Sequence, residues 1–262
     1  LAADSHFADR NPVGTRHYRD ALLKMEEFVR VMNSMDVDFV MHLGDFKDEA
    51  PDKKEEDTLN YLKEIEAVYA AFKGPRYHCV GNHDVDSIRK SQFLSNIENT
   101  GIPRKKSYYS FDLKGYHFIV LDANYDQLGA AHYFKEGADW QDPNIPVEQL
   151  EWLEMDLAKH RSPTVIFCHH PLFQYYHNDY QYHVNNYKEV QKIINSYSHC
   201  IAVFQGHVHQ ERFEKLNGVH YVTQLAMVDY RGLENNSFSI VELSNGKLTI
   251  NGYKRSSSKE KL

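Results

Sequence analysis

The chain is predicted to fold as an α/β protein built on parallel strands, and three observations lead there. Apolar runs of strand length alternate with segments of helical period through the first third of the chain. Several of those runs break off at a glycine or a polar turn, as buried parallel strands do when they open into loops. Finally, 262 residues with 42% hydrophobic content can bury a large core, and α/β chains of this length commonly form one domain, expected here over residues 1–255.

Taken in order, Leu1-Ala2-Ala3 reads as the end of a strand whose beginning lies upstream. That leaves room for a signal or anchor before it, and the strand delivers Asp4-Ser5-His6. After a polar loop with Pro12 and Gly14, residues Ala21, Leu22, Met25, Phe28, Val29 and Met32 recur at helical spacing. Asp38–Leu43 is a mostly apolar run opening at Gly44-Asp45. The acidic stretch from Asp48 to Asp57 reads as a solvated loop and helix start. Leu59, Leu62, Ile65, Tyr69 and Phe72 then mark a second amphipathic helix, stopped by Gly74-Pro75. A short strand, Arg76–Val80, ends in Gly81-Asn82-His83-Asp84. This strand, helix, strand, helix, strand order argues for a parallel βαβ sheet.

Farther on, Tyr108–Leu113 and Tyr116–Leu121 flank Lys114-Gly115 as a hairpin. Residues 122–146 form a long irregular stretch carrying Tyr125, Tyr133, Phe134 and Trp140, a candidate lid. A helix starts at Val147. Thr164–Cys168 is a strand ending in His169-His170-Pro171, followed by an aromatic loop over 172–187 with Phe173, Tyr175, Tyr176, Tyr180 and Tyr182. A helix near 187–197 leads to the strand Cys200–Phe204, which ends in Gly206-His207-Val208-His209. Runs at Val219–Leu225, Phe238–Leu243 and Leu248–Tyr253 read as antiparallel strands, and 256–262 as a polar tail.

Composition narrows the partners. A net charge of -7 supplies no overall basic field, so duplex nucleic acid is not the expected partner. No apolar run approaches the ~20 residues needed to cross a bilayer, so a soluble chain is expected. Cys79, Cys168 and Cys200 lie in or beside apolar runs and read as buried free thiols.

Successive strand ends deliver Asp4 and His6, then Asp45, then Asn82 and His83, then His169, then His207 and His209. Ligands of open α/β sheets sit in the crevice at the carboxyl ends of the strands, so these residues can converge. Seven of these eight, two aspartates, one asparagine and four histidines, make a set of oxygen and imidazole donors that suits a pair of cations about 3.5–4 Å apart. Each fragment alone has a bland reading: Gly44-Asp45 as an Asx-turn, His169-His170-Pro171 as an ordinary strand exit. All of these would have to hold at once, each at the end of a separate strand. With no thiolate in the set, Mn, Fe and Zn are equally suited. His42, His132 and His160, among other histidines, show no evident constellation.

Together, Asp4-x-His6, Gly44-Asp45-x-x-Asp48, Gly81-Asn82-His83-Asp84, His169-x-Pro171 and Gly206-His207-x-His209 resemble the motifs of the calcineurin-like metallophosphoesterases, in order and across nearly the whole chain. The resemblance implies a four-layer α-β-β-α sandwich of two mixed sheets with a dimetal site at one rim. It assigns Asp4, His6 and His209 to one ion, Asn82, His169 and His207 to the other, and Asp45 to both. His83 takes the part of the family's phosphate-contacting histidine that protonates the leaving group, oriented by Asp84. Asp48 stands where the purple acid phosphatases carry a metal-binding tyrosine, which argues against a ferric phenolate centre. A narrower similarity, in Phe7-Ala8-Asp9 and Thr15–Leu22, is to the opening of manganese-dependent ADP-ribose/CDP-alcohol diphosphatases.

The expected chemistry is attack on phosphorus by a hydroxide bridging two metal ions, with His83 donating a proton to the departing oxygen. Cleavage of a phosphodiester or pyrophosphate bond in a nucleotide-like substrate competes with phosphomonoester hydrolysis. The tyrosines from Tyr175 to Tyr187 are candidates to stack on a base or sugar, and Arg16, Arg19 and Arg231 to hold a second phosphate. A non-catalytic scaffold on the same fold would show broken ligand positions or lack His83, whereas here every position is filled.

Overall fold

The computed structural model describes residues 1–177, 182–244 and 247–260. In chain order its elements are α1 (Asp20–Ser34), β1 (Val40–His42), α2 (Glu55–Tyr69), β2 (Arg76–His78), α3 (Lys90–Asn96), β3 (Tyr109–Leu113), β4 (Tyr116–Leu121), α4 (Val147–Lys159), β5 (Thr164–Cys168), α5 (Tyr187–Asn195), β6 (Cys200–Gln205), β7 (Arg212–Leu216), β8 (Val219–Thr223), β9 (Ser237–Ser244) and β10 (Lys247–Lys254).

The larger sheet has the order β3-β4-β5-β6-β8-β7. Its four inner strands are parallel and its two edges antiparallel, so the sheet is mixed. The run at Val219–Leu225, expected as purely antiparallel, pairs parallel with β6 and antiparallel only with β7. On the other side, β1 and β2 pair in parallel, Ala2 bridges to His42, and Leu1 exchanges main-chain hydrogen bonds with Ser239, which ties the β9–β10 hairpin to the same layer. The expected strand at Leu1–Ala3 is thus a line of backbone bridging two partners.

Three separate cores show the four layers. Because side chains alternate along a strand, Phe118 and Val120, Val165 and Phe167, and Ala202 and Phe204 point into the space between the sheets, where they meet Met41, Leu43, Tyr77, Leu248 and Ile250. Ile119, Leu121, Ile166, Cys168 and Val203 point the other way, onto Leu153 and Leu157 of α4 and Val190 and Ile194 of α5. A third core packs Met25, Phe28 and Met32 of α1 and Leu62, Ile65 and Tyr69 of α2 beneath Val40 and Phe238. All three cysteines are buried free thiols. The β3–β4 hairpin turns at Lys114 (φ 48°) and Gly115 (φ 81°), the two left-handed residues that a type I′ turn requires. Among the described residues no helix is long and apolar enough to cross a membrane.

With this topology the carboxyl ends of β1, β2, β5 and β6, and the exit of the segment 1–3, open on one rim.

Candidate metal centre

Three of the donor loops, those carrying Asp4 and His6, Asp45, and His207 and His209, leave their strands by a backbone conformation that most residues avoid, whereas Asn82 lies in the ordinary helical region (φ -69°). Asp4 (φ 52°), His6 (46°), Asp45 (54°), His207 (73°) and His209 (60°) all lie in the left-handed region. Such positions cost on the order of 1–3 kcal/mol each and persist only where the surroundings hold them. Here the surroundings do so with main-chain bonds across layers. The Asp4 N–H donates to Gly44 O at 3.0 Å and His6 N–H to Asp45 O at 2.9 Å, while the Asp4 carboxylate accepts the His207 N–H at 3.0 Å. Asp45 Oδ1 accepts the His83 N–H at 2.7 Å. Glycine precedes Asp45 and Asn82 for steric reasons. A Cβ on Gly81 would sit 2.2 Å from the Asp45 nitrogen, and one on Gly44 2.7 Å from His169 Nδ1.

The side chains so delivered converge, and their outer hydrogen bonds fix which ring nitrogens face inward. His6 Nδ1 donates to Asp48 Oδ2 at 3.1 Å, His209 Nδ1 lies 3.3 Å from the Asp229 carboxylate, and His169 Nδ1 donates to Leu43 O at 2.8 Å. Burial opposes charge on both carboxylates, yet the histidines beside them hold Asp48 well below, and Asp229 below, the usual carboxylate range, so both are acceptors. With the outer nitrogen of His6, His209 and His169 taken up in this way, the nitrogen left to bind a cation in the deprotonated ring is the inward one. His6 Nε2 faces His209 Nε2 at 3.1 Å, and His169 Nε2 faces His207 Nδ1 at 3.2 Å. Lone pairs this close repel unless a cation lies between them, and an outer carboxylate or carbonyl on the far nitrogen is the usual support of a metal-bound histidine.

Oxygens complete both sets. Asp4 Oδ1 lies 3.9 Å from His6 Nε2 and 3.7 Å from His209 Nε2, and Asn82 Oδ1 lies 3.2 Å from His169 Nε2. Asp45 Oδ2 stands between the sets, 3.5 Å from His6 Nε2 and 3.2 Å from His169 Nε2. Burial pushes His6 down to about 3, keeping it neutral. Burial also opposes charge on His169, yet Asp45 and Asp4 carry that imidazole up to about 9, a measure of how strongly this spot calls for positive charge. The residues present fit a pair of cations.

Two expectations change. The stretch starting at Asp48 is not solvated at its head: Asp48 is buried, bonded to His6 and Arg10, and 3.4 Å from His83 Nδ1. Asp84 does not orient His83. Its two oxygens accept the main-chain N–H groups of Asp45, Phe46, Lys47 and Gly81, which pins the Asp45 loop against the Gly81 turn. Asp48, with Asp86 at 3.8 Å, holds the His83 ring instead. Against burial, Asp48 and Asp45 carry His83 up to about 9, and its side chain is 28% exposed at the rim.

The two long loops meet over the second set. Trp140 from 122–146 and Tyr182 from 172–187 lie with ring centroids 5.6 Å apart, and 6.0 and 5.6 Å respectively from His207. Tyr180 lies outside the described residues. Of the three arginines, Arg19 bonds Asp9 and Asn11 at the surface and Arg231 is exposed. Arg16 is half-buried, close enough to interact with Asp48 and Asp45.

The sequence matches the calcineurin-like phosphoesterase family over residues 1–211. The chain belongs to that family. It is 26% identical over 268 residues to a manganese-dependent ADP-ribose/CDP-alcohol diphosphatase of Oryza sativa subsp. japonica, covering 87% of this chain and 83% of that one. It is 25% identical to the Arabidopsis thaliana protein of the same name, covering 97% and 93%. Its fold matches the crystal structure of a dimetal phosphatase from Danio rerio with a TM-score of 0.81 at 17% identity, over 98% of this chain and 96% of that one. The protein is accordingly a metallophosphoesterase, a hydrolase of phosphate ester bonds with two divalent or transition metal ions as cofactors.

Proposed function

We propose that this metallophosphoesterase cleaves a phosphodiester or pyrophosphate bond in a small nucleotide-like substrate, with Asp4, His6 and His209 on one cation, Asn82, His169 and His207 on the other, and Asp45 shared. The carrying observation is the pair of facing nitrogens, at 3.1 and 3.2 Å, joined through one carboxylate oxygen of Asp45. Two bound cations supply the charge that polarises the phosphoryl oxygens and acidifies the attacking water.

The chain's own residues do the rest. Asp84 keeps the Asp45 loop in register by gathering four main-chain N–H groups. His83 stands at the open edge, held by Asp48, and carries the proton that the leaving oxygen needs as its bond to phosphorus breaks. Arg16 is placed to meet a second phosphate, as a diphosphate would present, and Trp140 and Tyr182 offer flat faces to a base or sugar. The two diphosphatase relatives, matched over most of their own length, support the same substrate class.

The test is a side-by-side assay of purified, metal-reconstituted protein on ADP-ribose, bis-nitrophenyl phosphate and nitrophenyl phosphate. The expected result is a kcat/KM for ADP-ribose at least about tenfold above that for the monoester, the scale of one well-placed specificity contact. A preference for the monoester would make the protein a phosphomonoesterase instead.

A further inference from the structure

Three of the four imidazoles assigned to the cations have their outward nitrogen already held: His6 by Asp48, His209 by Asp229 and His169 by Leu43 O. His207 differs. It turns Nδ1 inward, 3.2 Å from His169 Nε2, and its Nε2 is buried with no hydrogen-bond partner among the described residues. A ring that coordinates through Nδ1 carries its proton on Nε2. A buried N–H left unpaired costs about 1–3 kcal/mol, and a metal-bound histidine without an outer acceptor loses the support that sets its orientation and basicity.

The missing acceptor is next door. His170 follows the ligand His169 at the end of β5, is 1% exposed, and has its own Nδ1 buried without a partner. Its ring centroid lies 4.5 Å from that of His207 at an interplanar angle of 45°, and one ring nitrogen from each of His169, His170 and His207 falls within 4.8 Å of the others. One of these orphans must donate and the other can accept. We infer that His170 is the positioning residue of His207, its Nδ1 accepting the His207 Nε2–H either directly after a small ring rotation or through one buried water. Trp140 and Tyr182 lie against the His207 ring, and His170 is itself 1% exposed, so bulk water has little access to compete for the same bond. The inference rests on the assignment of His207 to the second cation.

The test is a Mn²⁺ titration of metal-stripped full chain, comparing wild type, His207→Ala, His170→Leu and His170→Asn. The expected result is two ions in wild type and loss of one in His207→Ala. In His170→Leu the second ion should bind about 10–100-fold more weakly while the first stays within about threefold. His170→Asn, whose amide oxygen can stand near Nδ1, should restore most of the affinity. Independently, ¹⁵N-histidine NMR of the Zn-loaded wild type should show a slowly exchanging His207 Nε2–H that His170→Asn keeps and His170→Leu loses. Should His170→Leu not fold, the Asn variant and the wild-type spectrum still decide. Unchanged second-ion affinity in His170→Leu would overturn the role of His170 alone. Loss as complete as in His207→Ala would make His170 a ligand rather than a positioning residue. Two tight ions in His207→Ala would overturn the metal assignment itself.

Discussion

Two histidine and aspartate clusters stand at opposite ends of β4 and its neighbours, each with three groups close enough to hold an ion, and their hydrogen bonding sets them apart. At the far end from the rim, His117 donates from both ring nitrogens, to Asp112 and to Asp156, at 2.7 Å each, and stacks on His160 with centroids 3.7 Å apart. Every strong acceptor there already has its proton, and none of the cluster's residues has a left-handed backbone. At the rim the reverse holds. Outer bonds use one nitrogen of each of three rings, inner lone pairs face each other, and five donor residues sit in strained backbone. Composition does not separate these clusters. Convergent unsatisfied lone pairs on a strained frame do.

Four substitutions sharpen or break that contrast. Asp45→Asn should have the largest effect, abolishing turnover and one equivalent of bound metal, since it removes the oxygen both sets share; retained activity would remove the basis for a paired centre. Next, His83→Ala should lower kcat by about 10²–10⁴ on a poor leaving group and far less on a nitrophenyl ester. Equal losses on both substrates would argue against proton donation. Asp48→Asn should weaken the first ion about 10–100-fold, read by calorimetric titration, and should also disturb His83, because one carboxylate serves both rings.

The smallest effect belongs to the other cluster. His117→Gln should leave metal content and turnover unchanged. Burial alone would lower its pKa, but Asp156 and Asp112 raise it above the ordinary 6.5. A folded pKa above the unfolded one stabilises below about 6.5 and loses that contribution as pH rises through the folded value. The variant should therefore melt below wild type in acid and match it in mild alkali. Asp112 is 64% exposed, so its pair is worth about 0.2–1 kcal/mol, or ~2–4 °C in Tm, and the more buried Asp156 pair adds to that. A melting difference that grows with pH would contradict the ion-pair reading.

Much of the rim was legible because ligands of this kind come in pairs at strand ends, and Asp4-x-His6, Gly81-Asn82-His83 and Gly206-His207-x-His209 keep that local spacing. The outer partners were not legible. Asp229 supports His209 from the loop after β8, and nothing around it sets it apart from a surface aspartate. Asp48 sits at the head of an acidic run that hides its burial, and Asp84 spends its carboxylate on main-chain groups that only the folded loops bring together. Among the elements, α3 has seven residues, too few to show a period, and β7 (Arg-Phe-Glu-Lys-Leu) is a polar edge strand without the alternation of a buried one.

The most direct measurement is anomalous diffraction from Mn²⁺-soaked crystals of the whole chain. Two peaks are predicted, about 3.5–4 Å apart, one between His6 and His209 and one between His169 and His207, with Asp45 touching both. A single peak, or manganese at the His117–His160 cluster with the rim vacant, would contradict the account.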